Sequence, residues 1–178
     1  GIVVREIDAL GGEMGINADK GAIQVKMLNT KKGPAVQALR AQEDKNIYPK
    51  EMLKTIKQEK NLDIKESLVE HLLIEDKKIK GVILEDDTQI SAKVVVLTTG
   101  TYLRGMILMG SEKKAGGPHG ERDSKFLSNY LKDLGFHILR LKTGTPARID
   151  KESIAYEKTS VEPGDDTELT FSFDNNAY

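Results

Sequence analysis

The sequence contains no cysteine, no long apolar run and almost no net charge. Without cysteine, the 178 residues hold no disulfide framework, no thiolate metal site and no cysteine nucleophile. A membrane-spanning helix needs about 20 apolar residues. Neither such a run nor a signal peptide is visible, so we expect no membrane association. The 27 Lys and Arg residues nearly balance the 28 Asp and Glu residues, which leaves a net charge of −1. Bulk charge therefore gives no attraction to nucleic acid, and only a local basic patch can supply one.

The residues that often carry metal or acid–base chemistry are scattered. The three histidines, His71, His119 and His137, lack the spacing of metal ligands, so no metal site is expected. We interpret His119 as a surface residue of a loop and the other two as ordinary strand side chains. The acid pairs Asp86–Asp87 and Asp165–Asp166 fit turns better than general acid–base catalysis.

Apolar periodicity predicts a mixture of helices and strands in the first half of the chain. The pattern predicts a helix over Ile2–Leu10 that ends at Gly11-Gly12, and a strand over Ala22–Leu28. It also predicts a long helix from Pro34 to about Lys60, kinked or split near Ile47 by Pro49. A β-meander is expected over residues 62–97, with strands at 62–64, 68–74, 79–84 and 89–97. Its last four residues, 94–97, are continuously apolar, as in a strand covered on both faces.

After Gly105 the sequence changes character. Residues 109–123 are rich in Gly, Pro and charge and predict a loop. An amphipathic helix capped by Asp123 or Ser124 is expected to end at Gly135, with an inner face formed by Phe126, Leu127, Leu131 and Leu134. A strand at 136–141, a polar turn at 142–150 and an acidic, loop-like end with an edge strand at 169–173 complete the prediction.

Three segments can bind a ligand on residue chemistry alone. Thr98, Thr99 and Gly100 end an apolar strand, where hydroxyls, backbone N–H groups and a missing Cβ let a ligand approach; a plain turn is the alternative. The loop Asn29–Gly33 precedes the expected helix start at Pro34, so Lys31, Lys32 and the helix dipole can bind a phosphate or carboxylate; a solvated basic loop is the alternative. Around a Gly-Thr-Pro turn lie three cations that can bind phosphates but lack aromatic neighbours for base stacking: Arg140, Lys142 and Arg148. A solvated turn is the alternative here.

Four stretches, "VREIDALGGEMG", "IQVKMLNTKKGPAVQALRAQ", "AKVVVLTTGTYLRG" and "LGFHILRLKTGTPARID", are long and specific. In this order and spacing the chain resembles the MnmG (formerly GidA) family, the flavoprotein subunit of the enzyme that forms 5-carboxymethylaminomethyluridine in tRNA. The resemblance implies an α/β fold: part of a Rossmann-like FAD-binding domain of the two-dinucleotide-binding flavoprotein type. Residues 1–105 are expected to belong to this domain without its N-terminal βαβ opening, and residues 106–178 to form an inserted α/β segment.

The resemblance also implies an activity. Family members bind FAD, use NADH and act with an MnmE-type GTPase in a heterotetramer built on a flavoprotein homodimer. They add an aminomethyl or carboxymethylaminomethyl group to C5 of the wobble uridine of certain tRNAs, with methylenetetrahydrofolate as one-carbon donor. The expected location is the bacterial cytoplasm, or mitochondria in a eukaryote.

Family positions carried over to this chain place FAD contacts at Val69 and Ser124, with the strand end Thr98-Thr99-Gly100 also against the cofactor. Candidates on the substrate side are Asn29, Lys31, Lys32, Gly33, Arg40, Lys142 and Arg148.

The chain departs from the family pattern in several places. Pro118 stands where the family has an arginine, and Pro49 where it has a helix-forming residue. The glycine-rich phosphate loop, the NADH region and the catalytic cysteines are expected outside these residues. We therefore expect a piece of a longer protein, inactive alone and without catalytic residues of its own. Two alternatives remain: a folate- and FAD-dependent tRNA uridine methyltransferase, and a non-catalytic RNA- or partner-binding module on the same fold.

Overall fold

The computed structural model describes residues 1–166 and 169–174. They form two compact units, the first from residues 1–64 and the described residues from 148 onward, the second from residues 65–147. This grouping differs from the expected division at residue 105, which concerns the domains of a complete flavoprotein and stays a prediction. Within the described residues, no helix is long and apolar enough to cross a membrane.

The first unit begins with two short helices, α1 (Ile2–Ala9) and α2 (Glu13–Gly21). The Gly11 and Gly12 amides donate to the carbonyls of Asp8 and Ile7 at 2.8 and 2.9 Å, and Gly11 has φ +86°. The predicted glycine end of the first helix is therefore confirmed, because this left-handed turn favours glycine.

The long helix predicted from Pro34 is wrong over its first half. Strand β1 (Ala22–Leu28) instead pairs with an antiparallel strand β2 (Ala38–Glu43), and only a single 3₁₀ turn at Pro34–Val36 lies between them. Strand pairing buries Leu39, which is 4% exposed. The helical spacing of apolar residues was equally compatible with this alternation, and tertiary burial decided between them.

The second half of that prediction forms a separate helix, α3 (Ile47–Gln58). Pro49 is its third residue, where the missing N–H has no partner within the helix in any case. The predicted break near Ile47 is therefore confirmed as the beginning of α3, although a strand and not a helix precedes it.

The core of the first unit is formed by Ala18, Leu39 and Phe171. Phe171 belongs to the segment predicted as an edge strand, which is wrong: no strand ladder includes its described residues. The amides of Phe171 and Ser172 donate to the Asp19 carboxylate, both at 2.8 Å. The Phe173 amide donates to Asp8 at 2.8 Å. Two carboxylates therefore satisfy the backbone that a neighbouring strand was expected to satisfy.

The second unit contains the predicted meander, which is confirmed as three antiparallel strands: β3 (Val69–Glu75), β4 (Lys78–Leu84) and β5 (Gln89–Ser91). The predicted strand at 62–64 is absent from the described structure, since those residues have no regular secondary structure. The Asp86–Asp87 pair forms the expected turn, in which the Thr88 amide donates to the Asp86 carboxylate at 3.1 Å.

The last strand of the meander is shorter than predicted. Residues 94–97 belong to no strand of the described structure, and Val94 and Val96 are 72% and 78% exposed. The prediction of a strand covered on both faces is therefore wrong for this structure. An apolar segment of this kind becomes a buried strand only when neighbouring strands pair with it.

The region after Gly105 contains a hairpin where a loop was predicted. Strands β6 (Met106–Met109) and β7 (Glu112–Ala115) pair across a turn at Gly110. Helix α4 (Phe126–Asp133) and its end at Gly135, with φ +90°, are confirmed. The predicted side-chain cap is wrong, because Lys125 occupies the cap position. The strand expected at 136–141 is also absent from the described residues.

The mixed α/β class is thus confirmed, while several individual elements differ. The inner face of α4 buries Leu127 and Leu131, at 3% and 6% exposure. The two other residues expected there, Phe126 and Leu134, are 53% and 40% exposed. The helix therefore buries half of the predicted stripe and leaves Phe126 accessible beside the site described next.

Candidate cofactor-binding site

Two residues expected to contact FAD, 55 positions apart in the sequence, meet in the second unit. Val69 begins β3, and Ser124 precedes α4. The Ser124 hydroxyl donates to the Val69 carbonyl at 3.3 Å. The Ser124 amide donates to the Tyr102 carbonyl at 2.9 Å, and the Arg104 amide donates to the Ser124 carbonyl at 2.8 Å. Backbone bonds on both sides therefore fix Ser124, and its hydroxyl joins this segment to the sheet.

These two residues line one cavity of about 420 Å³. Its wall consists of residues 68–70, residues 115 and 116, and residues 121–126. The volume lies within the range of small-molecule sites, which is about 300–1,000 Å³. We refer to it below as the Val69–Ser124 cavity.

Two charged side chains of the wall, those of Arg122 and Glu121, are held by neighbours outside it. Arg122 binds Glu85 through two hydrogen bonds, at 2.6 and 3.3 Å. This contact lowers the pKa of Glu85 and raises the pKa of Arg122. Glu121 accepts a hydrogen bond from the Tyr102 hydroxyl, which raises the pKa of the tyrosine. The arrangement leaves backbone groups, the Lys125 ammonium group and the carboxylates of Glu70 and Asp123 as polar features available to a ligand.

A glycine pair shapes the loop beside the cavity. A Cβ atom on Gly117 would lie 2.5 Å from ring atoms of Tyr102, and Gly116 has φ +143°. The Gly117 amide donates to the Glu121 carbonyl at 2.8 Å. Glycine is needed here because the loop must pass against an aromatic ring before it returns to the wall at residue 121.

The other expected cofactor residues lie elsewhere in the second unit. Thr98, Thr99 and Gly100 form a turn in which the Tyr102 amide donates to the Thr99 carbonyl at 3.0 Å and Gly100 has φ +54°. They are not among the described residues that line the Val69–Ser124 cavity. Their contact with a cofactor stays a prediction.

The Lys31–Lys32 loop loses the physical basis proposed for it. It joins β1 to β2, and the helix whose dipole was expected to attract an anion is absent there. The Lys32 amide donates to the Asn29 carbonyl at 2.8 Å, and the Asn29 side chain donates to the Val36 carbonyl at 2.9 Å. Both lysines and Gly33 are exposed in this closed turn.

The remaining substrate-side candidates are exposed cations. Arg40 lies on β2 opposite Lys26 of β1, and Lys26 forms an ion pair with Glu162. Lys142 and Arg148 lie in a segment without regular secondary structure, one in each compact unit. Arg40, Lys142 and Arg148 are therefore all exposed, and none of them lines either described cavity.

Residues that sequence patterns did not identify line a second cavity of about 270 Å³ in the same unit. Four residues, Ala115, Asp123, Lys125 and Phe126, line both cavities. The second cavity adds Arg104, Gly105, Met106, Asn129 and Arg140. Arg140 was expected to meet a phosphate, but as part of the Gly-Thr-Pro turn. Only the fold shows that Arg104, Lys125 and Arg140 share a wall.

A family model described as "GIDA: Glucose inhibited division protein A" matches residues 1–178. The chain belongs to the GidA family. Relatives named tRNA uridine 5-carboxymethylaminomethyl modification enzyme MnmG include those of Acholeplasma laidlawii, 56% identical over 98% of this chain, and Bacillus thuringiensis, 53% identical over 100%. The chain spans 28% of the length of each of these relatives.

A solved structure of a GidA protein has the same fold. The crystal structure of Aquifex aeolicus GidA, form I, covers 97% of this chain with a TM-score of 0.88 and 47% sequence identity. This chain covers 29% of that protein. The described fold is therefore that of the corresponding part of a GidA protein, and the expected family is confirmed.

Proposed function

We propose that the full-length protein modifies tRNA, adding an aminomethyl or carboxymethylaminomethyl group to C5 of the wobble uridine. The name of the MnmG relatives, tRNA uridine 5-carboxymethylaminomethyl modification enzyme, supports this reaction. The chain matches them over nearly its whole length at more than half of its positions. Because it spans 28% of those relatives, the complete reaction also needs residues beyond the site described above.

The observation that carries the cofactor part of the proposal is the Ser124–Val69 hydrogen bond at 3.3 Å, in the wall of the 420 Å³ cavity. The cavity fits part of FAD: it has an apolar wall at Leu68 and Val69, and two carboxylates that can accept from ribose or adenine donors. Val69 and Ser124 would hold the cofactor, which supplies redox chemistry. We also propose that Thr98, Thr99 and Gly100 contact FAD.

Membership of the GidA family is the only support for the proposed co-substrates and partners. We propose NADH as reductant, methylenetetrahydrofolate as one-carbon donor, and an MnmE-type GTPase as partner of a homodimer, in the cytoplasm or in mitochondria. A substrate-side role is proposed for Asn29, Lys31, Lys32, Gly33, Arg40, Lys142 and Arg148, whose exposed positions permit contact with RNA.

Nucleoside analysis of tRNA tests the reaction. A strain that lacks the gene is expected to lose the wobble-uridine modification and to regain it when the gene is restored. Loss of a methyluridine elsewhere in tRNA would instead support the methyltransferase.

The visible spectrum of the purified full-length protein tests whether it binds FAD. A colourless protein that cannot be reconstituted with FAD would overturn the flavin proposal and favour a non-catalytic binding module.

A further inference from the structure

The second cavity concentrates positive charge in a chain whose net charge is −1. Three cations line it, Arg104, Lys125 and Arg140, against one carboxylate, that of Asp123. None of the three cations forms an ion pair within the described residues. We call this cavity of about 270 Å³ the basic cavity.

Neutral partners hold the two arginines in place. The Arg104 side chain donates to the Asn129 amide oxygen at 2.9 Å, and the Arg140 side chain donates to the Arg104 carbonyl at 3.2 Å. Arg104 has φ +47°, a conformation stabilised by the bond of its amide to Ser124. Both guanidinium groups are therefore positioned without being neutralised. A guanidinium group matches the geometry of phosphate oxygens, because its N–H groups form a planar fork.

Asp123 points to a second chemical group on the same ligand. It is 8% exposed and lines both cavities, yet its carboxylate has no hydrogen-bond or ion-pair partner among the described residues. Its carboxylate oxygens are not among the fully buried unpaired atoms of the described residues, so they remain accessible from the cavities and can accept a hydrogen bond from a ligand. An ionised carboxylate only accepts hydrogen bonds. A ligand that supplies a hydroxyl next to a phosphate would satisfy Asp123 and the three cations together.

An accessible aromatic ring completes the arrangement. Phe126 lines both cavities and is 53% exposed. Nucleobases stack on such rings, and stacking contributes about 1–3 kcal/mol per base.

We propose that the basic cavity binds a ribonucleotide unit. Its phosphate lies against Arg104, Lys125 and Arg140, a ribose hydroxyl donates to Asp123, and the base stacks on Phe126. The ribonucleotide unit can belong to either of two molecules. One is a strand of RNA. The other is a nucleotide cofactor that extends into the basic cavity from the Val69–Ser124 cavity, with which it shares four wall residues. With RNA as the source, the inference rests on the cavity's own charges alone, whereas with the cofactor as the source it rests on the proposed flavin site.

Binding titrations with the full-length protein distinguish the two sources. In one arm, the FAD-treated protein is titrated with a short fluorescent single-stranded RNA and with DNA of the same base sequence. In the other arm, FAD is titrated into the flavin-free protein. Lys125→Gln and Arg140→Gln replace exposed side chains, so the fold is expected to persist, which circular dichroism verifies. Lys113→Gln on β7 is the matched control, because Lys113 is exposed and lies outside the lining.

If the source is RNA, each of the two wall variants is expected to weaken RNA binding about tenfold and to reduce its salt dependence, as loss of a charged phosphate contact does. If the source is the cofactor, the same loss appears in the FAD titration instead. The proposal is overturned when neither ligand loses affinity, or when Lys113→Gln loses as much as the wall variants.

Asp123→Asn separates the ribose contact from general electrostatics. Removing a negative charge from a basic cavity favours phosphate, so DNA binding is expected to stay equal or to tighten. The preference for RNA over DNA is expected to fall about threefold to tenfold, since the amide is a weaker acceptor for the 2′-hydroxyl. Equal losses for RNA and DNA would exclude the assigned role of Asp123. The flavin absorbance of the same samples reports on the proposed function separately.

Discussion

At the scale of single residues, the described site depends on hydrogen bonds that join distant parts of the chain. The Ser124 hydroxyl reaches the Val69 carbonyl, and the Arg104 amide reaches the Ser124 carbonyl. Such bonds contribute about 0.5–1.5 kcal/mol each to stability. Their larger effect is geometric, because they place β3 and the segment before α4 on the same cavity wall.

Ser124→Ala is expected to weaken FAD binding by the full-length protein about fivefold, because the hydroxyl oxygen, whose hydrogen is donated to Val69, is proposed to accept one hydrogen bond of about 1 kcal/mol from the cofactor. Fluorescence titration of the flavin-free protein with FAD measures the change. Ser111→Ala in the β6–β7 turn is the control, because Ser111 is exposed and outside the cavity lining. Unchanged affinity in Ser124→Ala would contradict the placement of FAD at this wall.

A second residue-scale prediction concerns Glu43 at the end of β2. Burial raises its pKa above the ordinary value of 4.5, and the nearby Asp19 carboxylate raises it further. Both carboxylate oxygens lack hydrogen-bond partners among the described residues. The folded state therefore binds the proton more tightly than the unfolded state. The resulting stabilisation is present below pH 4.5 and is lost as the pH rises through the raised pKa.

Glu43→Gln, which carries no charge at any pH, is expected to raise the unfolding temperature at pH 7. Its advantage over the wild type should disappear below about pH 4.5. Calorimetric scans across this pH range measure the difference. The exposed Glu59→Gln is a suitable control. An advantage of Glu43→Gln that persists unchanged in acid would show that packing, not charge, is responsible.

At the scale of elements, the meander depends on a close approach of backbones. Gly81 of β4 has φ +156°, and a Cβ atom there would lie 2.0 Å from the Ile90 carbonyl oxygen of β5. No side chain fits without separating the two strands. The strand pattern predicted β4 correctly, but it did not show that this position must be glycine.

Gly81→Ala is expected to destabilise the second unit by on the order of 2–4 kcal/mol, because the clash adds to an unfavourable backbone conformation. Denaturant unfolding measures the loss. Gly110→Ala separates the two causes: Gly110 has φ +58° but no atom within 4 Å of its Cβ position, so its cost is expected to be about 1–2 kcal/mol. Equal costs for both variants would show that the clash at Ile90 is relieved.

Helix α1, strand β1, most of the meander and helix α4 could be predicted from periodicity and glycine positions, since each has a strong local pattern. Strand β2 could not, because Leu39 and its neighbours suit either a helix or a strand until β1 pairs with them. The β6–β7 hairpin has exposed faces and so no buried alternation to detect. For the candidate site, Val69 and Ser124 came from family positions, while the basic cavity required three segments to converge in space.

At the scale of the whole molecule, apolar surface remains exposed in the second unit. Val94 and Val96 are 72% and 78% exposed, and Leu139 and Leu141 are 68% and 88% exposed. Exposed apolar groups of this kind mark interaction surfaces or promote association. The chain spans 28% of the length of its MnmG relatives, so most residues of those relatives have no counterpart in this chain.

The isolated 178-residue chain is expected to self-associate with increasing concentration, because these apolar side chains are accessible. Val96→Lys should lower the extent of association, and sedimentation velocity measures it. Lys93→Ala, which changes a neighbouring exposed residue without adding charge, is the control and should not lower it. A chain that stays monomeric at high concentration would contradict the expectation.

The sequence by itself determined the family, the α/β class, the meander and the glycine ends of α1 and α4, because long motifs, two-residue alternation and glycine turns are local properties of the chain. Only the tertiary structure decided that residues 38–43 form a strand, that residues 94–97 are exposed, and that Asp123 lies unpaired between two cavities. Each of these depends on which segments approach one another. Burial, pairing and the convergence of charge arise between residues far apart in sequence, so no local pattern contains them.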